Sequence, residues 1–130
     1  MNILTFGQGE IYKKLLLEIV EEHSLTHISF DWPKHNEKLP KHKNIQIVYG
    51  SGIVINDINA GNPDDKDVFL AFSQDDNLNI MASFMAKEIF QIKKVVCGIQ
   101  NLSKAESLKS TNFQIINISQ IVINSTISII

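Results

Sequence analysis

Short apolar runs alternate with helix-length amphipathic stretches from one end of this 130-residue sequence to the other. Crossover helices that connect parallel strands produce this alternation. The pattern therefore predicts an α/β fold built on a parallel sheet. The predicted strands cover residues 3–6, 27–30, 45–49, 68–72, 94–99 and 113–118.

Helical spacing of apolar residues predicts four helices, over residues 10–22, 76–90, 103–110 and 119–130. Asp75 or Asp76 is the expected N-cap of the second helix, a capping box that begins at Ser103 opens the third, and Ser119 caps the last. The side chains expected to face inward on the longest helix are Leu78, Met81, Ala82, Met85, Ala86 and Ile89. Residues 53–66 are expected to be irregular or to form a one-turn helix. No linker interrupts residues 1–130, which predicts a single domain.

Charge composition argues against a nucleic-acid partner. The 12 basic residues are all lysines, 14 residues are acidic, and the formal net charge is -2. Nucleic-acid binders carry a strongly basic surface, and arginine is the side chain that contacts phosphate or guanine in a bidentate manner. No nucleic acid is therefore expected among the partners.

Cysteine content and hydropathy indicate a cytoplasmic protein. Cys97 is the only cysteine, so that an intramolecular disulfide and a four-thiolate metal site are both excluded. The first residues do not resemble a secretion signal, and no apolar stretch reaches the length of a membrane span. We therefore expect a reducing compartment and no insertion into the membrane.

The strongest local signal is the sequence Gly7-Gln8-Gly9, which stands between a predicted strand and a predicted helix. Glycines in such a turn let the backbone approach a pyrophosphate at the positive helix N-terminus. Asp31, at the end of the second strand, stands where a carboxylate would accept the ribose hydroxyls. A dinucleotide site is one interpretation, and a plain strand-to-helix turn with a surface aspartate is the other.

Neither metal binding nor catalysis is expected. The histidines at positions 23, 27, 35 and 42 form no close ligand pair. The acidic pairs at 64–65 and 75–76 are explained by turn and N-cap roles. We therefore predict no metal ligands, no catalytic residues and no enzymatic activity.

A longer pattern begins in the fourth strand, where residues 68–79 read VFLAFSQDDNLN. An apolar helix that ends in Lys87-Glu88 follows, and later matches include Asn101 and the segment 115–119. With Gly7, Gly9, Asp31 and Tyr49-Gly50 in register, the sequence resembles the N-terminal domain of RCK proteins over essentially its whole length. These regulators of potassium conductance are also called TrkA-N domains.

The resemblance implies a Rossmann-like doubly wound sheet with strand order 3-2-1-4-5-6 in three α/β/α layers. It also implies a cytoplasmic dimer that binds NAD(H) or an adenine nucleotide (AMP, ADP or ATP) and controls a membrane subunit, either a potassium channel or a potassium transporter. Gly7 and Gly9 would approach the phosphates, Asp31 the ribose, and Ser73 the phosphate region. The predicted nucleotide-binding residues are Gly7, Gln8, Gly9, Asp31, Trp32, Gly50, Ser51 and Ser73.

The sequence departs from the family pattern at several positions. Tyr12 stands at the third glycine of the nucleotide loop beside Glu10, Ser51 replaces a common acid, and Gly98 replaces a frequent arginine. Three hypotheses follow: a regulatory nucleotide-binding domain, a degenerate scaffold that binds proteins without nucleotide, and a small NAD(P)-dependent oxidoreductase domain. Many relatives continue into a second domain, and the sequence ends where a connecting helix would begin. Because residues 119–130 are apolar, we expect them to pack on another subunit.

Overall fold

A computed structural model describes residues 1–29 and 41–130, and these residues form one six-stranded sheet in which all strand pairs are parallel. The strands are β1 (Asn2–Gly7), β2 (Ser24–Ser29), β3 (Ile45–Tyr49), β4 (Val68–Phe72), β5 (Lys94–Ile99) and β6 (Gln114–Asn117). Their order across the sheet is β3-β2-β1-β4-β5-β6. The predicted doubly wound Rossmann topology is therefore confirmed.

Helices cover both faces of this sheet. They are α1 (Glu10–Ile19), α2 (Val54–Ala60), α3 (Asp76–Phe84), α4 (Leu102–Ser107) and α5 (Ile118–Ile129). A 3₁₀ turn (Pro63–Asp65) follows α2, and a π-helical turn (Met85–Ile89) extends α3. One apolar core lies under α1 and contains Tyr12 and Leu16, and the other contains Ile58 of α2, Ala82 of α3 and Ala105 of α4. Alternate strand residues fill the two cores, as a sheet buried on both faces requires.

Several predicted boundaries were wrong. The first helix ends at Ile19 rather than residue 22, and β2 begins at Ser24. Residues 53–66, predicted to be irregular or to form a one-turn helix, contain the seven-residue helix α2 followed by a 3₁₀ turn.

The predicted caps of the last two helices were also wrong. The Asn101 side chain accepts from the backbone N–H of Lys104 at 2.9 Å, and the Asn117 side chain accepts from that of Gln120 at 3.1 Å. Ser119 instead donates to the carbonyl of Gln100. Asparagine serves as a cap as well as serine does, because its side-chain oxygen reaches the same N–H groups.

The inward face of α3 differs from its predicted face. Its N-cap is Asp75, as expected, since the carboxylate accepts from the N–H of Leu78 at 3.1 Å. Ala82 and Ala86 are buried as predicted, but Met81 is 40% exposed and Ile89 is 56% exposed. Two polar residues, Asn79 and Ser83, take the buried positions instead. The side chain of Asn79 is held inside by hydrogen bonds to Ser73 and Gly98, and these bonds determine which face of α3 is turned toward the sheet.

The final helix, α5, leaves the sheet without burying any residue. Its exposed apolar side chains are Ile121, Val122, Ile123, Ile127 and Ile129. No helix among the described residues has both the length and the apolar character needed to cross a membrane. Residues 1–29 and 41–130 therefore leave the apolar surface of α5 uncovered.

Candidate functional site

The loop between β1 and α1 lies at the carboxyl edge of the sheet, where β1 separates the two halves of the fold. Gly9 is the N-cap of α1 and has a φ of 103°, a conformation that residues with a side chain rarely adopt. It offers no side-chain oxygen to the first N–H groups of the ten-residue helix. The partial positive charge of this helix end therefore faces the loop, as an anion site requires.

Gly7 is required by close packing. A Cβ atom there would lie 2.6 Å from the carbonyl oxygen of Phe72 and 2.6 Å from two ring carbons of Tyr12. Neither the β4 backbone nor a buried ring has room to move by that much. The end of β1 therefore tolerates only glycine at this position without rearrangement.

Tyr12 occupies the position of the third loop glycine, and its side chain turns into the core. It is 2% exposed, and its hydroxyl lies 2.6 Å from Nδ1 of His27 in β2. The Thr5 hydroxyl lies 3.4 Å from the same nitrogen. The tyrosine therefore packs beneath the loop and joins α1 to β2 without filling the space above Gly9.

Burial strongly perturbs His27. Desolvation lowers its pKa from 6.5 to about 4. Among the described residues its Nε2 atom has no hydrogen-bond partner. A protonated ring would thus bury a charge with one N–H unpaired, which explains the preference for the neutral form.

The loop after β3 is held by an acid that sequence reasoning missed. Ser51 donates from both its N–H and its hydroxyl to Oδ1 of Asp57 in α2, each at 2.8 Å. Asp57 is 4% exposed, whereas Ser51 is exposed. Gly50 donates to the carbonyl of Ser29 at 2.7 Å. The predicted residues Gly50 and Ser51 are therefore held in place by hydrogen bonds at the carboxyl end of β3, in the half of the sheet that contains β1, β2 and β3.

Ser73, at the end of β4, is buried and bound to Asn79. Its N–H and hydroxyl donate to Oδ1 of Asn79 at 2.8 and 2.6 Å. The Asn79 amide donates in return to the carbonyl of Ser73 at 3.0 Å and to that of Gly98 at 2.9 Å. Ser73 therefore shapes the edge of the site through its backbone position, and its hydroxyl is already engaged.

A cavity of about 610 Å³ opens beside the glycine loop. Its lining residues come from the loop and α1 and from the carboxyl ends of β4, β5 and β6: Gln8, Gly9, Glu10, Ile11, Tyr12, Leu15, Phe72, Ser73, Gln74, Gln100, Ile116 and Ile118. The structure thus brings Gln8, Gly9 and Ser73 together at one cavity. Gly50 and Ser51 lie across β1 from it, and Asp31 and Trp32 lie outside the described residues.

Reactive groups are scarce around this cavity. Of the described lining residues, only Glu10 carries a carboxylate, and none is a histidine, lysine or cysteine. Cys97 is buried in β5, where desolvation raises its pKa to about 11. In residues 1–29 and 41–130 no three His, Cys, Asp or Glu side chains are grouped to hold a metal ion.

A parallel sheet with this strand order and a glycine loop at its switch point defines a domain of the Rossmann class. The family model of the TrkA-N domain matches residues 3–122, so the chain belongs to the TrkA-N domain family. The predicted family is thereby confirmed.

Comparison with solved structures gives the same fold. The Bordetella bronchiseptica enzyme WbmH, solved in complex with NAD⁺, is similar with a TM-score of 0.50 and 18% identity. The match covers 78% of this chain and 39% of WbmH, so the chain spans well under half of that enzyme's length. At this identity the likeness shows the fold alone. A search of curated proteins found no significant match.

The buried histidine predicts a pH dependence of stability. Because the folded state lowers the pKa of His27 from 6.5 to about 4, the unfolded chain binds the proton first as the pH falls. His27 should therefore have no effect on the free energy of unfolding above pH 6.5, where it is neutral in both states. As the pH falls from 6.5 to 4, protonation of His27 in the unfolded chain should lower the free energy of unfolding by about 3 kcal/mol.

Chemical denaturation across that range, in wild type and His27→Gln, checks this expectation. The glutamine variant should show a shallower loss of stability with falling pH. His42→Gln, outside the cluster, controls for the loss of an imidazole. Equal slopes in wild type and His27→Gln would contradict the assignment.

Proposed function

We propose that this TrkA-N domain is a non-catalytic regulatory module that binds NAD(H) or an adenine nucleotide and thereby biases a potassium channel or transporter. One observation carries the proposal: the N-terminus of α1, where Gly9 supplies no side-chain cap, lies at an open cavity at the switch point of the sheet. Open α/β sheets bind ligands at this place, with the phosphates at the helix N-terminus.

The remaining predicted residues fit the two halves of such a ligand. Gly50 and Ser51 follow β3 on the side where the adenosine of a bound nucleotide would lie, and Asp31 would accept the ribose hydroxyls. Gln8, Gly9 and the end of β4 line the cavity on the opposite side of β1. A nucleotide that crosses the loop would contact both halves.

The scarcity of reactive groups favours regulation over an oxidoreductase. Proton transfer to or from a substrate requires a positioned acid or base. Glu10 is the sole carboxylate among the described lining residues, and its side chain is 97% exposed and 4.0 Å from Lys13. A site of this composition is better suited to binding a ligand than to catalysing a reaction of that ligand.

The potassium-transport partner and the cytoplasmic location are parts of the same proposal, and they are supported by membership in the TrkA-N family. Ligand control requires that the nucleotide bind two states of the assembly with different affinity. The glycine loop would bind the nucleotide, and the contacts with the membrane subunit would change when the nucleotide binds. Such regulation requires neither a nucleic acid nor an enzymatic substrate.

Nucleotide binding is tested by thermal shift with NADH, AMP, ADP and ATP, since a ligand of the folded state raises its apparent stability. At least one should raise the melting temperature of the wild type. Gly9→Ala strains the loop at φ 103° and places a methyl 3.2 Å from the Gln74 amide, so it should lose the shift.

Asn62→Ala is the matched control for this experiment. Asn62 also has a positive φ, of 58°, but lies in the turn before β4, away from the cavity. The Asn62→Ala variant should have a different melting temperature from the wild type, but nucleotide should raise that temperature as it does in the wild type. Absence of any shift in the wild type at millimolar nucleotide would favour the degenerate scaffold instead.

We also propose that α5 joins two copies of the chain. Its isoleucines are exposed, with Ile127 63% and Ile123 38% accessible, and an apolar strip of this kind is unfavourable in water. A second copy offers the same strip, so that a two-fold axis could bury both at once.

Sedimentation tests the assembly. Truncation after Ser119, or Ile123→Glu combined with Ile127→Glu on the same helical face, should shift the protein towards monomer. Asn124→Glu combined with Ser128→Glu adds the same charge at the same spacing without removing apolar side chains, and should shift it less. An unchanged oligomer in the truncated protein would contradict the role of α5.

A further inference from the structure

We infer that Tyr12 and His27 form a positioning pair, which holds the first turn of α1 from the core side and so fixes the helix end at which a phosphate would bind. His27 lies in β2 and acts through the tyrosine. The inference rests on the proposed function, and it identifies side chains that set the affinity of the site through the position of the helix.

The N-cap residue of α1 does not order the first turn. The first N–H groups of any helix have no intrahelical partner, and a side-chain oxygen at the N-cap commonly binds one of them. Gly9 is the N-cap of α1 and has no such oxygen. The first hydrogen bond of the helix runs from the N–H of Lys13 to the carbonyl of Gly9, at 3.0 Å. A helix end held by so little tends to fray.

An anion site at a helix end places two demands on this turn. A side chain that capped the helix would compete with a phosphate for the same N–H groups. A frayed turn would have to be ordered when the ligand binds, and the cost of that ordering lowers the affinity. The turn is therefore best held by a group on its core side.

Tyr12 is placed to hold the turn in this way. The first turn consists of Glu10, Ile11 and Tyr12. The side chain of Glu10 is 97% exposed and Ile11 is 84% exposed, whereas Tyr12 is buried. Two carbons of its ring lie so close to Gly7 that a Cβ atom there would be 2.6 Å from each. The tyrosine therefore rests on the end of β1 and anchors the turn.

His27 fixes the far end of the tyrosine ring. The Tyr12 hydroxyl lies 2.6 Å from Nδ1 of His27, and the two ring centroids are 5.3 Å apart. His27 pairs in register with Thr5 of β1, and both residues are fully buried. The hydroxyl is thus bound to a point in the middle of the sheet. A directional hydrogen bond in a dry core restricts the ring more than packing alone does.

Amide hydrogen exchange tests the ordering of the turn without a ligand. Tyr12→Phe keeps the ring and removes the hydroxyl, and His27→Phe keeps a ring and removes Nδ1. In each variant the amide of Lys13 should exchange severalfold faster relative to the amides of β1, because the turn opens locally. Leu16→Val, a buried change one turn further along α1 that leaves the pair intact, should not alter this ratio.

Calorimetric titration with ADP, the part common to NAD(H), ADP and ATP, tests the effect on binding. Both single variants should bind ADP severalfold more weakly than the wild type, and Leu16→Val should bind it as the wild type does. The double variant Tyr12→Phe/His27→Phe separates positioning from stability. It leaves neither partner of the bond unpaired, so its melting temperature should return towards that of the wild type. Its affinity for ADP should stay reduced, because the directional bond is absent.

Two results would overturn the inference. One is a double variant that regains ADP affinity together with its melting temperature, since the pair would then only fill the core. The other is a wild-type exchange ratio for Lys13 in both single variants. If no nucleotide raises the melting temperature of the wild type, the proposed function fails, and the exchange of Lys13 still decides whether the pair orders the turn.

Discussion

The side-chain amide of Asn79 is the interaction on which the candidate site most depends. It accepts two hydrogen bonds from Ser73 and donates to the carbonyls of Ser73 and Gly98, so that it ties α3 to the ends of β4 and β5. Asp76, on the first turn of α3, accepts from the N–H groups of Gln100 and Asn101 at 2.9 Å each. These bonds fix the separation of the strand ends that frame the cavity. The buried part of the network, between Asn79, Ser73 and Gly98, is fully hydrogen-bonded and therefore rigid.

Much of the fold could be predicted because its strands are short, continuous apolar runs. The bounds of β3, β4 and β5 match the predicted ones, since each run is flanked by polar or turn-forming residues. The inward face of α3 could not be predicted in the same way. Hydropathy favours Met81 and Ile89 over Asn79, and only the carbonyl of Gly98, 19 residues away, reveals why the asparagine is inside.

The candidate site, like the fold, could be predicted only in part. Gly7 and Gly9 stand out because their backbone roles leave a local signature, and the structure shows a steric reason for the first and a conformational reason for the second. The Tyr12–His27 and Ser51–Asp57 pairs are side-chain contacts across elements. No spacing rule indicates such contacts, so Tyr12 and Ser51 looked like departures from a family pattern, although each is hydrogen-bonded within the fold.

The central claim, that the carboxyl edge of the sheet at the α1 N-terminus holds a nucleotide, is tested most directly by an amide chemical-shift titration of the isotope-labelled protein with NADH. A nucleotide bound at this edge should concentrate the shifts at Gly7, Gly9, Gln74 and Gln100. A polar cleft of about 240 Å³ at the opposite edge, lined by residues that include Asn2, Lys43 and Lys66, is the alternative location. Shifts confined to that cleft, or none at saturating NADH, would contradict the account.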